Sequence, residues 1–252
     1  MAIVTGMFGL PDHIRACLFD LDGVLTPTAK VHAAAWKELF DDVLRRHAEH
    51  AGIPFVPFDP VNDYHEYVDG KQRVDGTRSF LESRNIVLPA GGPGDSPEAE
   101  TIESLSARKD QYFTLRLRRD GVRAYPGSVK YLEAVRDAGL SRAVVSSSKN
   151  CVEVMRAADI EEFFEGRVDG LVAIAERLPG KPAPDTFLAA AKQLGVSPHE
   201  AAVFEDALAG IDAGRAGGFG FVVGIARVGP PAALLARGAD VVVNDLEELL
   251  GR

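Results

Sequence analysis

The apolar run Ala16-Cys17-Leu18-Phe19 stops at Asp20-Leu21-Asp22-Gly23, and two acids at the mouth of a buried strand leave a chain few choices. Four apolar residues closed by an acid and a glycine read as a strand emptying into a loop, and side chains at i and i+2 of extended backbone point to the same side. Asp20 and Asp22 are therefore expected to face one pocket. Carboxylates held that close resist joint ionisation unless a cation lies between them or one keeps its proton. The pair points to a divalent metal site, a nucleophile beside an acid/base, or both. Asp-x-Asp at a strand end also occurs as turn chemistry, with Asp capping the following backbone. The rest of the chain bears on the choice, because three further apolar runs end in polar residues. Val144-Val145 leads into Ser146-Ser147-Ser148-Lys149-Asn150, Leu178-Pro179-Gly180 into Lys181-Pro182, and Ala202-Val203-Phe204 into Glu205-Asp206. In an open α/β sheet, ligands bind beyond the carboxyl ends of the strands, so these loops can converge.

From Lys30 the pattern changes, and Trp36, Leu39, Phe40, Val43 and Leu44 recur at helical spacing. Pro54, Pro57 and Pro60 then break any regular element. Short helices are expected over Tyr64–Val68 and residues 77–81, flanking a loop Asp69-Gly70-Lys71-Gln72-Arg73. Gly91-Gly92-Pro93-Gly94 is read as a connector rather than a phosphate loop, since no strand precedes it and no Gly-Lys-Ser/Thr follows. A helix is predicted over 98–118. After Tyr125-Pro126-Gly127 strands and helices alternate again: helix 129–138, strand 142–145, helices 151–158 and 185–194, strand 201–204, helix 208–216, then strands 219–223 and 240–243. Strands separated by helices favour a parallel sheet covered on both faces. The expected fold class is α/β: a doubly wound parallel core from residues 1–27 and 120–252, interrupted after its first strand by an inserted all-helical cap, 28–119. Hinges are expected near Pro27 and Arg123.

With 37 acidic against 28 basic residues, a net charge of −9 argues against a nucleic-acid or anionic-membrane surface. A local basic pocket for phosphate remains compatible with it. Cys17 falls in a predicted strand and Cys151 at a helix start, which is no disulfide framework, so reduced thiols in a cytoplasmic protein are expected. Residues 1–10 lack a basic region followed by an apolar stretch, and no apolar run is long enough to span a bilayer; neither export nor membrane insertion is expected.

On these residues the sequence resembles the haloacid dehalogenase superfamily of phosphotransferases. Asp20-Leu21-Asp22-Gly23 matches the first motif, Ser146 the second, Lys181 the third and Glu205-Asp206 the fourth, in order and across the chain. Within the superfamily it is similar to the β-phosphoglucomutase-like family. That likeness is carried by Thr28-Ala29-Lys30-Val31-His32-Ala33-Ala34-Ala35-Trp36-Lys37, the Arg73 region, Arg108-Lys109 with Tyr112, the segment from Ser146 to Asn150, and Gly180-Lys181-Pro182-Ala183-Pro184-Asp185.

The resemblance implies that Asp20 is the nucleophile, forming an aspartyl phosphate, and that Asp22 is the general acid/base. It implies a Mg²⁺ site at Asp20, the backbone carbonyl of Asp22, and Asp206, with Glu205 in direct or water-mediated support; hard oxygen ligands suit Mg²⁺ better than zinc. Lys181 would offset negative charge, and the Ser146 hydroxyl would donate to phosphate oxygens. Ser147, Ser148, Lys149 and Asn150 would add phosphate contacts ahead of a helix N-terminus. In the cap, Thr28, His32, Trp36, Arg73 and Lys109 match positions that govern closure and grip the distal phosphate, Arg73 being best suited to bidentate recognition. Trp36 also fits the cap core. Three departures stand out: Ser147 in place of Ala, Asp69 in place of a basic residue, and extra length at residues 90–97. The implied activity is a Mg²⁺-dependent mutase interconverting β-glucose 1-phosphate and glucose 6-phosphate, primed by a sugar bisphosphate. The expected partner is a small-molecule sugar phosphate, and the expected state a monomer. The alternatives are a sugar-phosphate phosphatase with the same motifs and a non-catalytic sugar-phosphate sensor.

Overall fold

The computed structural model describes residues 7–92, 94–227 and 230–251. Most of the terminal stretch read for export signals, residues 1–6, lies outside the described residues, as does Pro93 of the connector. The chain divides into two units, Met1–Pro27 with Val122–Arg252, and Thr28–Gly121.

The first unit is built on six strands: β1 (Ala16–Phe19), β2 (Ser141–Val145), β3 (Gly166–Val168), β4 (Ala201–Glu205), β5 (Phe221–Ile225) and β6 (Val241–Val243). Their order is β3-β2-β1-β4-β5-β6, and every neighbouring pair is parallel. A parallel sheet is covered on both faces, which is why β1 is an unbroken apolar run instead of an alternating one. Leu18 and Phe19 are fully buried, each stabilising the core by about 1.5–3 kcal/mol relative to exposure. Chain order reverses at β1, which pairs with β2 on one side and β4 on the other. Phe19 is in register with both Val144 and Phe204. Asp20, Val145 and Glu205 therefore stand abreast at the carboxyl end of the topological switch point, where a doubly wound sheet opens its ligand crevice.

The second unit contains α1 (Thr28–Ala51), α2 (Arg73–Ser83) and α3 (Ile102–Asp120), with a π-helical turn at Tyr64–Val68. Helical spacing on α1 buries Trp36, Leu39, Phe40, Val43 and Leu44, and these pack with Phe58, Phe80 and Leu105 into a separate core. The Phe40 and Phe80 rings lie 4.1 Å apart. Ion pairs Arg108–Asp42 and Arg116–Glu38, each 2.6 Å, tie α3 to α1. The first unit adds α4 (Pro126–Asp137), α5 (Cys151–Ala157), α6 (Gly170–Glu176), α7 (Asp185–Gln193), α8 (Leu208–Ala216) and α9 (Pro231–Ala236). Among the described residues, no helix is long and apolar enough to cross a membrane.

Several elements differ from expectation. β3, α6 and α9 were not expected, because a three-residue Gly-Arg-Val strand and two short helices carry too little periodicity to register. α2 begins at Arg73, not at 77: Gln72 is extended and its carbonyl accepts from Gly76 N, so Arg73 is helical rather than part of a loop. α3 begins at Ile102 instead of 98, because the Thr101 side chain caps it by accepting from Ser104 N. α4 starts three residues early, with Pro126 in its first turn. β5 lies two residues later than expected and runs through Gly224, which broke the apolar pattern.

Candidate active site

Lys181 is the centre of the arrangement. It follows α6 and the Gly180 turn, is 2 % exposed, and its ammonium donates to Asp20 Oδ1 at 2.5 Å, to Val145 O at 3.2 Å, and to Glu205 Oε1. Burial works against the ammonium, but the flanking Asp20 and Glu205 carboxylates outweigh it and lift Lys181 above the ordinary lysine range. It is a fixed cation. On the acid's side, burial raises Asp20 well above the usual carboxylate range, Lys181 pulls it down, and Glu205 and Asp22 push it up.

Asp22 is treated differently. It lies past the strand, in a turn closed by Gly23 N to Thr26 O at 2.8 Å and Thr26 N to Leu21 O at 3.0 Å. Its Oδ2 accepts a long 3.5 Å contact from Ser146 Oγ. Gly23 is obligatory here: its φ is +93°, and a Cβ would fall 1.7 Å from Asp206 Oδ2. The first-motif turn is thereby laid directly against the fourth-motif acid.

Ser146 is 2 % exposed, and its Oγ also accepts from Ser148 N at 3.1 Å. Ser148 Oγ in turn accepts from Asn150 N, which shapes residues 146–150 into a compact loop ahead of α5. The β3–α6 connection backs this loop. Ser146 N donates to Val168 O and Gly170 N to Ser148 O, while Asp169, 1 % exposed, caps α6. A Cβ on Gly170 would meet Ser147 O at 2.8 Å and Lys149 N at 3.0 Å. Ser147 and Lys149 are half-buried in the same loop.

Among the described residues, Asp20, Glu205 and Asp206 form the trio of carboxylates whose oxygens lie within 4.8 Å of one another. The set is all oxygen, with no imidazole or thiolate, and so fits a hard divalent cation. Glu205, the fully buried member, also accepts from Lys181 and from Ala207 N at 3.1 Å.

The remaining sequence-predicted residues lie in the Thr28–Gly121 unit. Thr28 is buried at the first residue of α1. Lys109, 2 % exposed, donates to His32 Nδ1, and its ammonium lies 5.0 Å from the Trp36 ring centre and 5.1 Å from that of Phe113. His32 stacks on Phe113 at 4.0 Å. Trp36 is 4 % exposed and part of the apolar core. Arg73 pairs with Asp110 at 2.6 Å. Asp69, the acid at a position expected to be basic, is buried and bonded to His65 Nδ1 at 3.0 Å, so its charge serves the fold of this unit.

Residues 14–218 match the haloacid dehalogenase-like hydrolase family. The chain belongs to that family. It is 56 % identical over 97 % of its length to a β-phosphoglucomutase of Mycobacterium tuberculosis, covering 94 % of that protein. It is 32 % identical to a β-phosphoglucomutase of Bacillus subtilis, over 94 % of this chain and 92 % of the other. Among solved structures, a β-phosphoglucomutase from Clostridium difficile superimposes with a TM-score of 0.71 at 29 % identity, covering 94 % of this chain and 93 % of that one.

For a haloacid dehalogenase-like chain, the sequence motifs located the strand-end acids and Lys181 but passed over the groups that hold them. Arg227, two residues beyond β5, was missed although it obeys the same rule of polar residues past an apolar strand. Asp110, Asp169 and Gly170 carry no signal in a single sequence. Each acts through a contact made only in the folded chain.

Proposed function

We propose that this chain is a β-phosphoglucomutase, interconverting β-glucose 1-phosphate and glucose 6-phosphate through a phosphorylated Asp20, with Mg²⁺ as its metal and a sugar bisphosphate as the priming donor. The observation that carries the chemistry is the unequal treatment of two neighbouring acids: Asp20 is held by Lys181, and Asp22 rests on the Ser146 hydroxyl. The choice of mutase is supported by 56 % identity across nearly the whole chain to a protein of that name.

In transfer, an Asp20 oxygen attacks phosphorus in line, and the bond to the sugar oxygen breaks. Asp22 gives its proton to the departing sugar oxygen and takes one from the hydroxyl that attacks in the reverse sense. Lys181 stays charged throughout and offsets the negative phosphoryl group, with Ser146 donating to one of its oxygens. A divalent cation at Asp20 and Asp206, with Glu205 behind them and the Asp22 carbonyl alongside, would supply further charge against the transferring oxygens. Ser147, Ser148, Lys149 and Asn150 line the core's anion loop. On the cap, Arg73 is the proposed grip for the second phosphate, with Thr28, His32 and Lys109 in support and Trp36 fixing Lys109. The same proposal takes the enzyme to be a cytoplasmic monomer acting on a small sugar phosphate, in keeping with its acidic balance and two buried free thiols.

The test is to incubate the protein with Mg²⁺ and β-glucose 1-phosphate, with and without the bisphosphate, following glucose 6-phosphate and free phosphate separately. Glucose 6-phosphate that depends on the bisphosphate is expected. Free phosphate without glucose 6-phosphate would overturn the mutase and leave a phosphatase.

A further inference from the structure

Arg227 spends its whole guanidinium on other residues of the core unit. Its Nε donates to Gly23 O at 3.0 Å; Nη2 donates to Val24 O at 3.3 Å and Ser128 Oγ at 3.0 Å; Nη1 donates to Asp245 Oδ2 at 2.6 Å and Asn244 O at 3.3 Å. A guanidinium has five N–H groups in a rigid fork, and here all five are used. Its carbon also lies 3.6 Å from the centre of the Tyr125 ring, and the side chain is only 12 % exposed.

The partners belong to three segments far apart in the sequence. Gly23 and Val24 are in the turn that carries Asp22. Tyr125 and Ser128 are where the chain re-enters the core, and Tyr125 N donates to Leu25 O at 2.9 Å. Ser128 Oγ donates to Val24 O at 2.8 Å while accepting from Arg227. Asn244 and Asp245 follow β6. A turn with a glycine at φ +93° can rotate its peptides at little steric cost, and rotation at Gly23 or Val24 would swing Asp22 away from Ser146 and lift Gly23 off Asp206. Arg227 holds the two carbonyls that must move.

We propose that Arg227 is a positioning residue for the Asp22 turn: by fixing the Gly23 and Val24 carbonyls, it sets the direction of the Asp22 carboxylate without touching the reacting atoms. The inference rests on Asp22 being the proton carrier of the proposed function. Lysine is no substitute, because a single ammonium cannot bond Gly23, Val24 and Asp245 while stacking on Tyr125.

The test compares wild type, Arg227→Ala and Arg227→Lys, using Mg²⁺-dependent hydrolysis of acetyl phosphate, which needs no assumption about the sugar. Both variants are expected to lose about 10- to 100-fold in kcat, as misplaced catalytic groups do. Millimolar methylguanidinium is expected to restore several-fold of the loss in Arg227→Ala and none in Arg227→Lys. In metal-free protein, exchange of the Gly23, Leu25 and Thr26 amides is expected to quicken about tenfold while β2 and β4 amides stay protected. Arg227→Lys keeps the test open where the alanine variant does not fold. Unchanged kcat and exchange in Arg227→Lys, or a loss with uniform exchange and no rescue, would overturn the proposal. A wild type that hydrolyses acetyl phosphate but never makes glucose 6-phosphate would sink the mutase alone and leave the Arg227 comparison standing.

Discussion

Asp20 and Asp22 are two residues apart, yet their surroundings differ, and the proposed function gives them different work. In the proposed function, a carboxylate bonded to a buried ammonium is tied to its place and oriented for attack, and the one that meets a hydroxyl at 3.5 Å exchanges the proton. Asp20→Asn is therefore expected to abolish the aspartyl phosphate, while Asp22→Asn is expected to slow transfer in both directions by about 10²- to 10⁴-fold, the usual contribution of a general acid/base, with whatever label forms still on Asp20. Trapping the phosphoprotein in each variant and mapping the modified peptide checks this; label on Asp22, or label persisting in Asp20→Asn, would reverse the roles. These acids were legible in the sequence because strand ends in an open sheet converge by topology alone. Lys181 was legible only through its motif, since Leu178-Pro179-Gly180, expected to lead into it as the other apolar runs do, follows the helix α6 and forms no strand. Their supports were not. Nothing in the sequence says that Gly23 must lie against Asp206, that Gly170 must let the Ser146 loop pass, or that Arg227 reaches back to residues 23 and 24. Those requirements come from contacts between segments far apart along the chain.

At the scale of elements, the short pieces decide what the long ones can hold. The three-residue strand β3 and the seven-residue α6 were invisible to periodicity, yet they carry the carbonyl and the amide that fix the loop from Ser146 to Asn150. α2 runs from Arg73 rather than 77, so Arg73, expected in the loop Asp69-Gly70-Lys71-Gln72-Arg73, sits on a helix, a firmer platform for a phosphate grip. The π turn at Tyr64–Val68, just ahead of Arg73's helix, has its own electrostatic support. The hydrogen bond that His65 Nδ1 donates to Asp69 raises the His65 pKa above its ordinary value of about 6.5, against the effect of partial burial, with the Asp69 charge adding to the rise. Because the folded pKa is the higher one, the pair stabilises fully below the unfolded value, and that support fades as pH rises through the folded value. His65→Gln is then expected to cost more stability near pH 6 than near pH 8.5, by under about 1 kcal/mol because the pair is partly exposed and screened. Urea titrations of both proteins at the two pH values give the comparison. An equal cost at both would show that the pair contributes shape and no charge.

Over the whole molecule, the proposed chemistry draws on residues of both units. Asp20, Asp22, Ser146, Lys181, Glu205 and Asp206 all belong to the unit of Met1–Pro27 and Val122–Arg252, and Thr28, His32, Arg73 and Lys109 to Thr28–Gly121. Attack on phosphorus needs only the first set. A mutase must also hold an intermediate by its second phosphate, release it, and rebind it turned around, and the proposed function assigns that demand to the second set. Arg73 is prepared for it, pinned at 2.6 Å by Asp110 and only 15 % exposed, so that little side-chain entropy is lost when it binds an anion. Removing a charged hydrogen-bonding partner weakens binding by about 1.5–3 kcal/mol, or roughly 10- to 150-fold. Arg73→Ala is accordingly expected to lower glucose 6-phosphate formation at least tenfold more than it lowers acetyl phosphate hydrolysis, since acetyl phosphate has no second phosphate to grip. Arg73→Lys, which keeps the charge beside Asp110 but loses the planar fork, is expected to fall between. Measuring both rates in each variant, with thermal melting to confirm the fold, separates the two demands. Equal loss of both rates would make Arg73 a structural partner of Asp110 and place the distal phosphate grip elsewhere on the cap.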